Sequence, residues 1–259
     1  SHHWQKLTPT ELDTAQRYFD LALAKDPSYA SAYEGLAWVW SARQQMGITP
    51  PSEAGPKAKA AALQAIALDD GSAEAHEALA LVKTWIDWDW AGAEQEWRQT
   101  LELNPSAANA HAYYAHFLAI MGRADEAVSH SERALELDPF NALYQGLYAR
   151  VLLYARRYDD ALAAARAGLA LQPDLPVGLG VSQRVFIVKR MREEQLADQR
   201  RRIANDPERI AAFEQGLAEG GYEGAQRRIA DLLAARYQKA DGVPDPGVLR
   251  VYMPCNVAL

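Results

Sequence analysis

The phrase TLELNPS at Thr100–Ser106 returns as ALELDPF at Ala134–Phe140 and as GLALQPD at Gly168–Asp174; the prolines Pro105, Pro139, Pro173 and Pro207 recur every 34 residues. A fixed period of that length marks a chain that stacks one supersecondary unit many times. Weaker copies stand earlier: ALAKDPS ends at Ser28, and AIALDDG ends at Gly71 with Asp70 in the place of proline. Proline suits such a helix end because it has no amide hydrogen and a fixed φ, so it stops one helix and opens the turn into the next. Asp26, Asn104, Asp138 and Asp206, just before the prolines, are turn-forming residues.

Between the phrases, small residues recur where two helices must approach closely. Ala127, Ser131 and Ala134 lead to Pro139; Ala161, Ala165 and Gly168 lead to Pro173. Earlier copies read Ala93, Trp97, Thr100 and Ala15, Phe19, Ala22, so the middle place takes a large or a small packing residue. On the other helix of each pair Ala37, Ala80, Ala115 and Ala149 supply the matching small contact. Helices pack 8–10 Å apart only where one side is small.

These residues resemble the tetratricopeptide (TPR) family, whose 34-residue unit is an antiparallel helix pair ending in proline. The resemblance implies an all-α fold, a right-handed superhelical solenoid forming a single array over residues 1–259. The copies divide as a partial repeat at 8–27, repeats at 28–70, 71–105, 106–139 and 140–173, a degenerate one at 174–207, a shortened one at 208–238, and the start of a truncated one at 246–259. Gly122 and Tyr158 mark the turns inside the best copies. In the copy at 28–70, Pro50, Pro51, Gly55 and Pro56 predict a surface loop over the insertion 43–57. Gly178 and Gly180 predict a weak helix in the degenerate copy, and EGGYEG at Glu219–Gly224 an early stop in the shortened one, with Ala225, Ile229 and Leu232 resuming the pattern. Both termini read as cut repeats, which leaves an apolar face that a homo-oligomer would cover. Two stretches, at 4–40 and 87–106, are similar to arrays attached to bacterial winged-helix regulators, class III cyclases or protein kinases.

Charge narrows the partners. A net charge of −7 and a pI near 5.4 disfavour nucleic acid and anionic membrane as general partners. No apolar run approaches the roughly 20 residues of a spanning helix, and the N-terminus carries no signal-like segment, so a cytoplasmic setting is expected. The lone Cys255 forms no internal disulfide and builds no zinc site by itself. His2 and His3, in an SHH start of the kind affinity tags leave, carry no functional weight.

No catalytic constellation stands out: there is no nucleophile elbow, triad or framed carboxylate pair, so neither catalysis nor a cofactor is expected. GLGVS at Gly178–Ser182 and EGGYEG lack the remaining residues of phosphate loops. His76 and His111 fall where the family buries a ring, and His116 lies on another face from His111, so metal binding is not expected. Lys189, Arg190, Arg192 and Arg200–Arg202 are interrupted by Glu193, Glu194 and Asp198, which reads as a solvated face with pairs such as Asp198 and Arg202. WIDWDW at Trp85–Trp90 sits at a turn; Asp87 or Asp89 should cap the next helix while the tryptophans cover the turn.

In the family the first helix of each pair lines a concave groove. The matching places here are Glu34 and Trp38, Glu77, Leu81 and Trp85, Asn109, His116 and Ile120, Arg150, Leu153 and Tyr154, then Arg184 and Ile187. The resemblance therefore implies a protein or peptide partner in a groove that is acidic early and basic late, with Trp38, Trp85 and Tyr154 as anchors. Clamping of a chaperone tail by paired lysines and asparagines is disfavoured, because only Asn109 stands in such a place. A small-molecule sensor built on the insertion and the tryptophan cluster is the competing expectation, and an enzyme with a diffuse site is the weakest.

Overall fold

The computed structural model describes residues 9–239, and these form helices and turns without a strand. Contacts divide the chain into two units, with the boundary between Val181 and Ser182. In the first unit the helices are α1 (Pro9–Lys25), α2 (Ala30–Gln45), α3 (Pro51–Leu68), α4 (Ala73–Val82), α5 (Trp90–Leu103), α6 (Ala108–Ile120), α7 (Ala124–Leu137), α8 (Ala142–Tyr154) and α9 (Tyr158–Leu171). The pairs α2/α3, α4/α5, α6/α7 and α8/α9 pack internally, and first helices pack on first helices, α2 on α4 and α6 on α8. This is an all-α helical solenoid.

Turn chemistry explains the period. Before the turn, Asp69, Asn104, Asp138 and Gln172 leave the helical region, with φ between −137 and −150. At three of the turns a side chain holds the residue two places on: Asp26 Oδ1 accepts from Ser28 N at 2.9 Å, Asp69 Oδ1 from Gly71 N at 3.1 Å and Asn104 Oδ1 from Ser106 N at 3.1 Å. The carboxylate or amide, more than the proline after it, makes this turn, which is why Asp70 replaces proline without altering the design. Between consecutive helices, the chain passes through left-handed φ at Gly47, Trp88, Gly122, Arg156 and Arg190. Only two of these five are glycine, the residue that pays no Cβ penalty there.

The small places close the pairs as their spacing predicts. Ala127, Ala134, Ala161, Ala165, Ala93, Ala37, Ala80, Ala115 and Ala149 are fully buried, and Trp97 fills the middle place of its repeat.

The insertion is not a loop over 43–57. Helix α2 runs on to Gln45, the turn occupies only residues 46–50, and Pro51 opens the 18-residue α3. Proline at the first helical position loses no bond that the helix would have made. Pro56 removes one bond, to the carbonyl of Ser52, an exposed residue in the first turn. Gly55 is needed for contact, since a Cβ there would stand 2.9 Å from Ile86 Cγ2. Lys57 and Arg43 both lie over the Trp40 ring, at 4.2 and 5.3 Å from its centre.

Helix α10 (Pro176–Val188) spans Gly178 and Gly180 without a break. Gly146 and Gly178 instead permit close approach: a Cβ on Gly146 would stand 2.2 Å from Val177 Cγ1, and one on Gly178 3.1 Å from Leu169 Cγ.

The second unit holds α11 (Arg192–Ile203) and α12 (Pro207–Lys239) around Ile203, Phe213, Ala225, Ile229 and Leu233. Helix α12 is two arms joined across Gly220 and Gly221, the latter with a φ of +60 that is open to glycine. The first arm, 207–219, is as long as α6, so this copy is not shortened; Leu233 enters the core while Leu232 stays half-buried. The expected pair forms, with Asp198 accepting from Arg202 Nε at 2.7 Å; Asp198 also accepts from Arg201 Nη2, and Arg200 pairs with Glu214. The start of a further repeat at 246–259, Cys255, and His2 and His3 lie outside the described residues.

Candidate partner-binding groove

One tether recurs at the start of the first helices. Tyr33 Oη donates to Pro27 O at 3.2 Å, His76 Nε2 lies 3.0 Å from Asp70 O, and His111 Nε2 3.2 Å from Pro105 O. A side chain six residues on thus binds each turn carbonyl, so His76 and His111 do more than fill space. His76 also meets Glu96, at 2.7 Å, and Glu96 accepts from Lys83 Nζ.

With the helices so placed, the groove begins as an acidic, aromatic pocket of about 580 Å³. Its walls include Phe19, Tyr29, Glu34, Trp38, Glu74, Glu77 and Tyr144. Two hydrogen bonds join neighbouring repeats across it: Ser72 Oγ donates to Glu34 Oε1 at 2.7 Å, and Asn109 Nδ2 donates to Glu77 Oε1. Burial, with the charges of Glu74 and Glu34 adding to it against the Asn109 bond, lifts the Glu77 carboxyl to about 7.

Farther along, rings follow one another on successive first helices. Trp85 lies 5.0 Å from His116, and His116 stacks on Tyr154 at 6.3 Å. Burial and the nearby Arg150 hold His116 neutral, its pKa pushed down to about 3. Burial and the Glu77 charge raise the Tyr113 hydroxyl to about 12, while Arg150 opposes them; the acid and the guanidinium therefore act on one ring from the two parts of the groove.

The predicted residues separate by depth. Glu34, Trp38, Glu77, Trp85, Asn109, Arg150 and Leu153 are half-buried; Ile120 and Tyr154 are exposed. Leu81 at 3% and His116 at 7% exposure form a floor beneath Trp38, Tyr113 and Trp85, not an open wall. Arg184 and Ile187 are exposed on the part of α10 that belongs to the second unit. Sequence reasoning missed Tyr113 and Tyr144, which stand one place off the family positions, and Glu74, which stands at one, four places after Asp70. In WIDWDW, Asp89 caps α5 by accepting from Gly92 N at 3.0 Å. Trp88, however, is 64% exposed, resting edge-on against Trp90 at 5.3 Å, so it does not cover the turn as predicted.

His111 Nδ1 and His130 Nδ1 are 2.8 Å apart, which requires one ring to donate and the other to accept. Burial depresses both, His130 to about 4. Unfolded histidine titrates near 6.5, so the unfolded chain takes up protons first as pH falls. The stabilisation by these histidines is full above about pH 6.5 and is lost as pH falls toward their folded values, about 4 for His130 and about 3 for His116. Glu77 acts oppositely: raised from an unfolded value near 4.5, it favours the fold below that and loses its contribution as pH rises through 7. Three histidines outweigh one carboxyl, so the urea midpoint should fall between pH 7 and pH 5. His116→Phe should shrink that fall, and an equal or higher midpoint at pH 5 would sink this account.

No family model matches the chain, and no curated protein matches it. Solved structures do. Human IFIT1, solved as a dimer with m7Gppp-AAAA, is 14% identical with a TM-score of 0.73; the match covers 92% of this chain and 57% of that one. Pseudomonas aeruginosa pilF is 18% identical with a TM-score of 0.60, covering 88% and 99%. TTC0263, a thermophilic TPR protein of Thermus thermophilus, is 19% identical with a TM-score of 0.55, covering 67% and 90%. Identities this low speak to the fold alone.

Proposed function

We propose that this chain, whose fold is that of the tetratricopeptide-repeat proteins, is a non-catalytic recognition module that binds an extended peptide segment of a partner protein along the first helices of its first unit. The observation that carries this reading is the groove itself: a pocket of about 580 Å³ with aromatic walls, continued by Trp85, His116 and Tyr154. Half-buried rings with polar neighbours are what anchors an interface. Glu34, Glu74 and Glu77 crowd one stretch of it and repel phosphate, so the groove suits a peptide better than an RNA such as that held by IFIT1. Among the described residues no helix is long and apolar enough to cross a membrane. The likeness of residues 4–40 and 87–106 to arrays on bacterial regulators supports a place in a bacterial signalling protein.

A synthetic library of twelve-residue peptides, read by tryptophan emission and then by calorimetry, tests the groove. Ser31→Trp places bulk in the pocket from an exposed site, and Arg133→Trp adds the same bulk at an exposed site on α7 that does not line the pocket. Ser31→Trp should weaken the selected peptides at least ten-fold while Arg133→Trp leaves them unchanged. Peptides indifferent to Ser31→Trp would show that they bind elsewhere.

A further inference from the structure

We infer that Arg150 is the receptor for a carboxylate carried by the bound peptide, seated beside Tyr154, His116 and Trp85 in the groove. The inference rests on the peptide-binding reading above and adds the chemistry of what is read.

Arg150 occupies the place on α8 that Trp38 holds on α2, Leu81 on α4 and His116 on α6, so it belongs to the groove row. It is half-buried, and among the described residues it has neither an ion pair nor a hydrogen bond. Most other arginines of the fold are paired; Arg43, Arg123, Arg200, Arg202, Arg228 and Arg236 all meet carboxylates. Withdrawing a guanidinium from water without a partner is costly, and an array gains nothing from it in isolation.

The surroundings select an anion and supply none. The ionisable groups that bear on Arg150 are the hydroxyls of Tyr154 and Tyr113. His116 beside it is neutral, and the Trp85 indole N–H next to His116 is buried without an acceptor. The groove's own acids are engaged elsewhere, Glu34 by Ser72 and Glu77 by Asn109. The Arg150 guanidinium therefore awaits acceptor oxygens from outside the array. A guanidinium fork takes a carboxylate through two parallel hydrogen bonds, and a half-exposed Tyr154 gives the adjoining apolar atoms a ring to lie on. A doubly charged phosphate meets stronger repulsion from Glu34, Glu74 and Glu77 than a single carboxylate does.

The test is a charge cycle on peptides selected from the same library, made both amidated and with a free C-terminus. Amidated binders should share an aspartate or glutamate whose change to the amide weakens binding at least ten-fold. Arg150→Gln should weaken the acidic peptide by the same factor and leave the amide peptide unchanged, and Arg150→Lys should restore part of the loss. The unliganded Arg150→Gln protein should melt no lower than the wild type, because it loses only an unpaired charge. Binding by free-acid peptides alone, still dependent on Arg150, places the carboxylate at the peptide's end and supports the inference. Peptides blocked by Ser31→Trp yet indifferent to Arg150→Gln, or bound only when phosphorylated, overturn it and leave the groove reading standing. A lowered melting point for both Arg150→Gln and Arg150→Met also overturns it, since Arg150 is then structural. Absence of groove-dependent peptides defeats the parent reading and this one together.

Discussion

Trp97→Ala is expected to destabilise the first unit by roughly 3–5 kcal/mol, the range for emptying the site of a buried aromatic side chain. Trp97 is fully buried, stacked on Tyr114 at 6.3 Å with the planes 25° apart. It fills the middle of the three small places on α5, where α7 has Ser131, so its indole is packed between both helices of its pair and the next repeat. Its N–H donates to Thr84 Oγ1 at 3.1 Å, and Thr84 in turn donates to Ala80 O at 2.7 Å. That chain secures the wide π-helical turn Lys83–Asp87, which carries Trp85 into the groove. Trp97→Phe keeps most of the volume and loses the hydrogen bond, so it should cost only about 1–2 kcal/mol. The two values come from urea unfolding at pH 7. In a stacked array a gap at one junction also weakens its neighbour's cover, so Trp97→Ala should reduce peptide affinity where Trp97→Phe does not. A cost below about 1 kcal/mol for Trp97→Ala would mean that the ring is not the centre of this junction.

How much of this was legible from residues alone depends on how local the cause is. The turns were legible because residues such as Asp26 and Asn104 make them with their own side chains two residues on. The alanine places were legible because helix contact distance depends on side-chain size, whatever the partner. The insertion was misread because proline's effect depends on its position: Pro51 at a helix start favours what Pro50 and Gly47 interrupt. The left-handed turns at Trp88 and Arg156 escaped notice because neither is glycine; each is held by the helices on either side of it. In the groove, the facing positions followed from period, but depth did not. Leu81 and His116 sink to the floor because Tyr113 and Trp85, whose reach depends on neighbouring helices, close over them. Arg150 was picked out as a groove residue, yet its want of a partner is a fact about space that no spacing in the chain records.

Gly216→Val should disrupt the second unit, at a cost of about 3 kcal/mol from overpacking against backbone. The two arms of α12 fold back around Gly220 and Gly221 and touch at Gly216 and Gly224. A Cβ on Gly216 would lie 2.3 Å from Gly224 O and 2.8 Å from Ala225 Cα, and one on Gly224 would lie 2.2 Å from Gly216 O. These are main-chain atoms, which unlike a side chain cannot rotate away. The arms must separate, and separation uncovers Phe213, Ile229 and Leu233, the interior that holds them. Hydrogen exchange across residues 207–236 should therefore accelerate by about two orders of magnitude, since each 1.4 kcal/mol of lost stability is about a factor of ten in the opening equilibrium. Gly220→Ala is the matched control: a Cβ there meets nothing within 4 Å, and its φ is negative, so the substitution meets no left-handed penalty. It should leave exchange nearly unchanged, and equal effects from the two substitutions would refute close backbone contact as the feature that joins the arms.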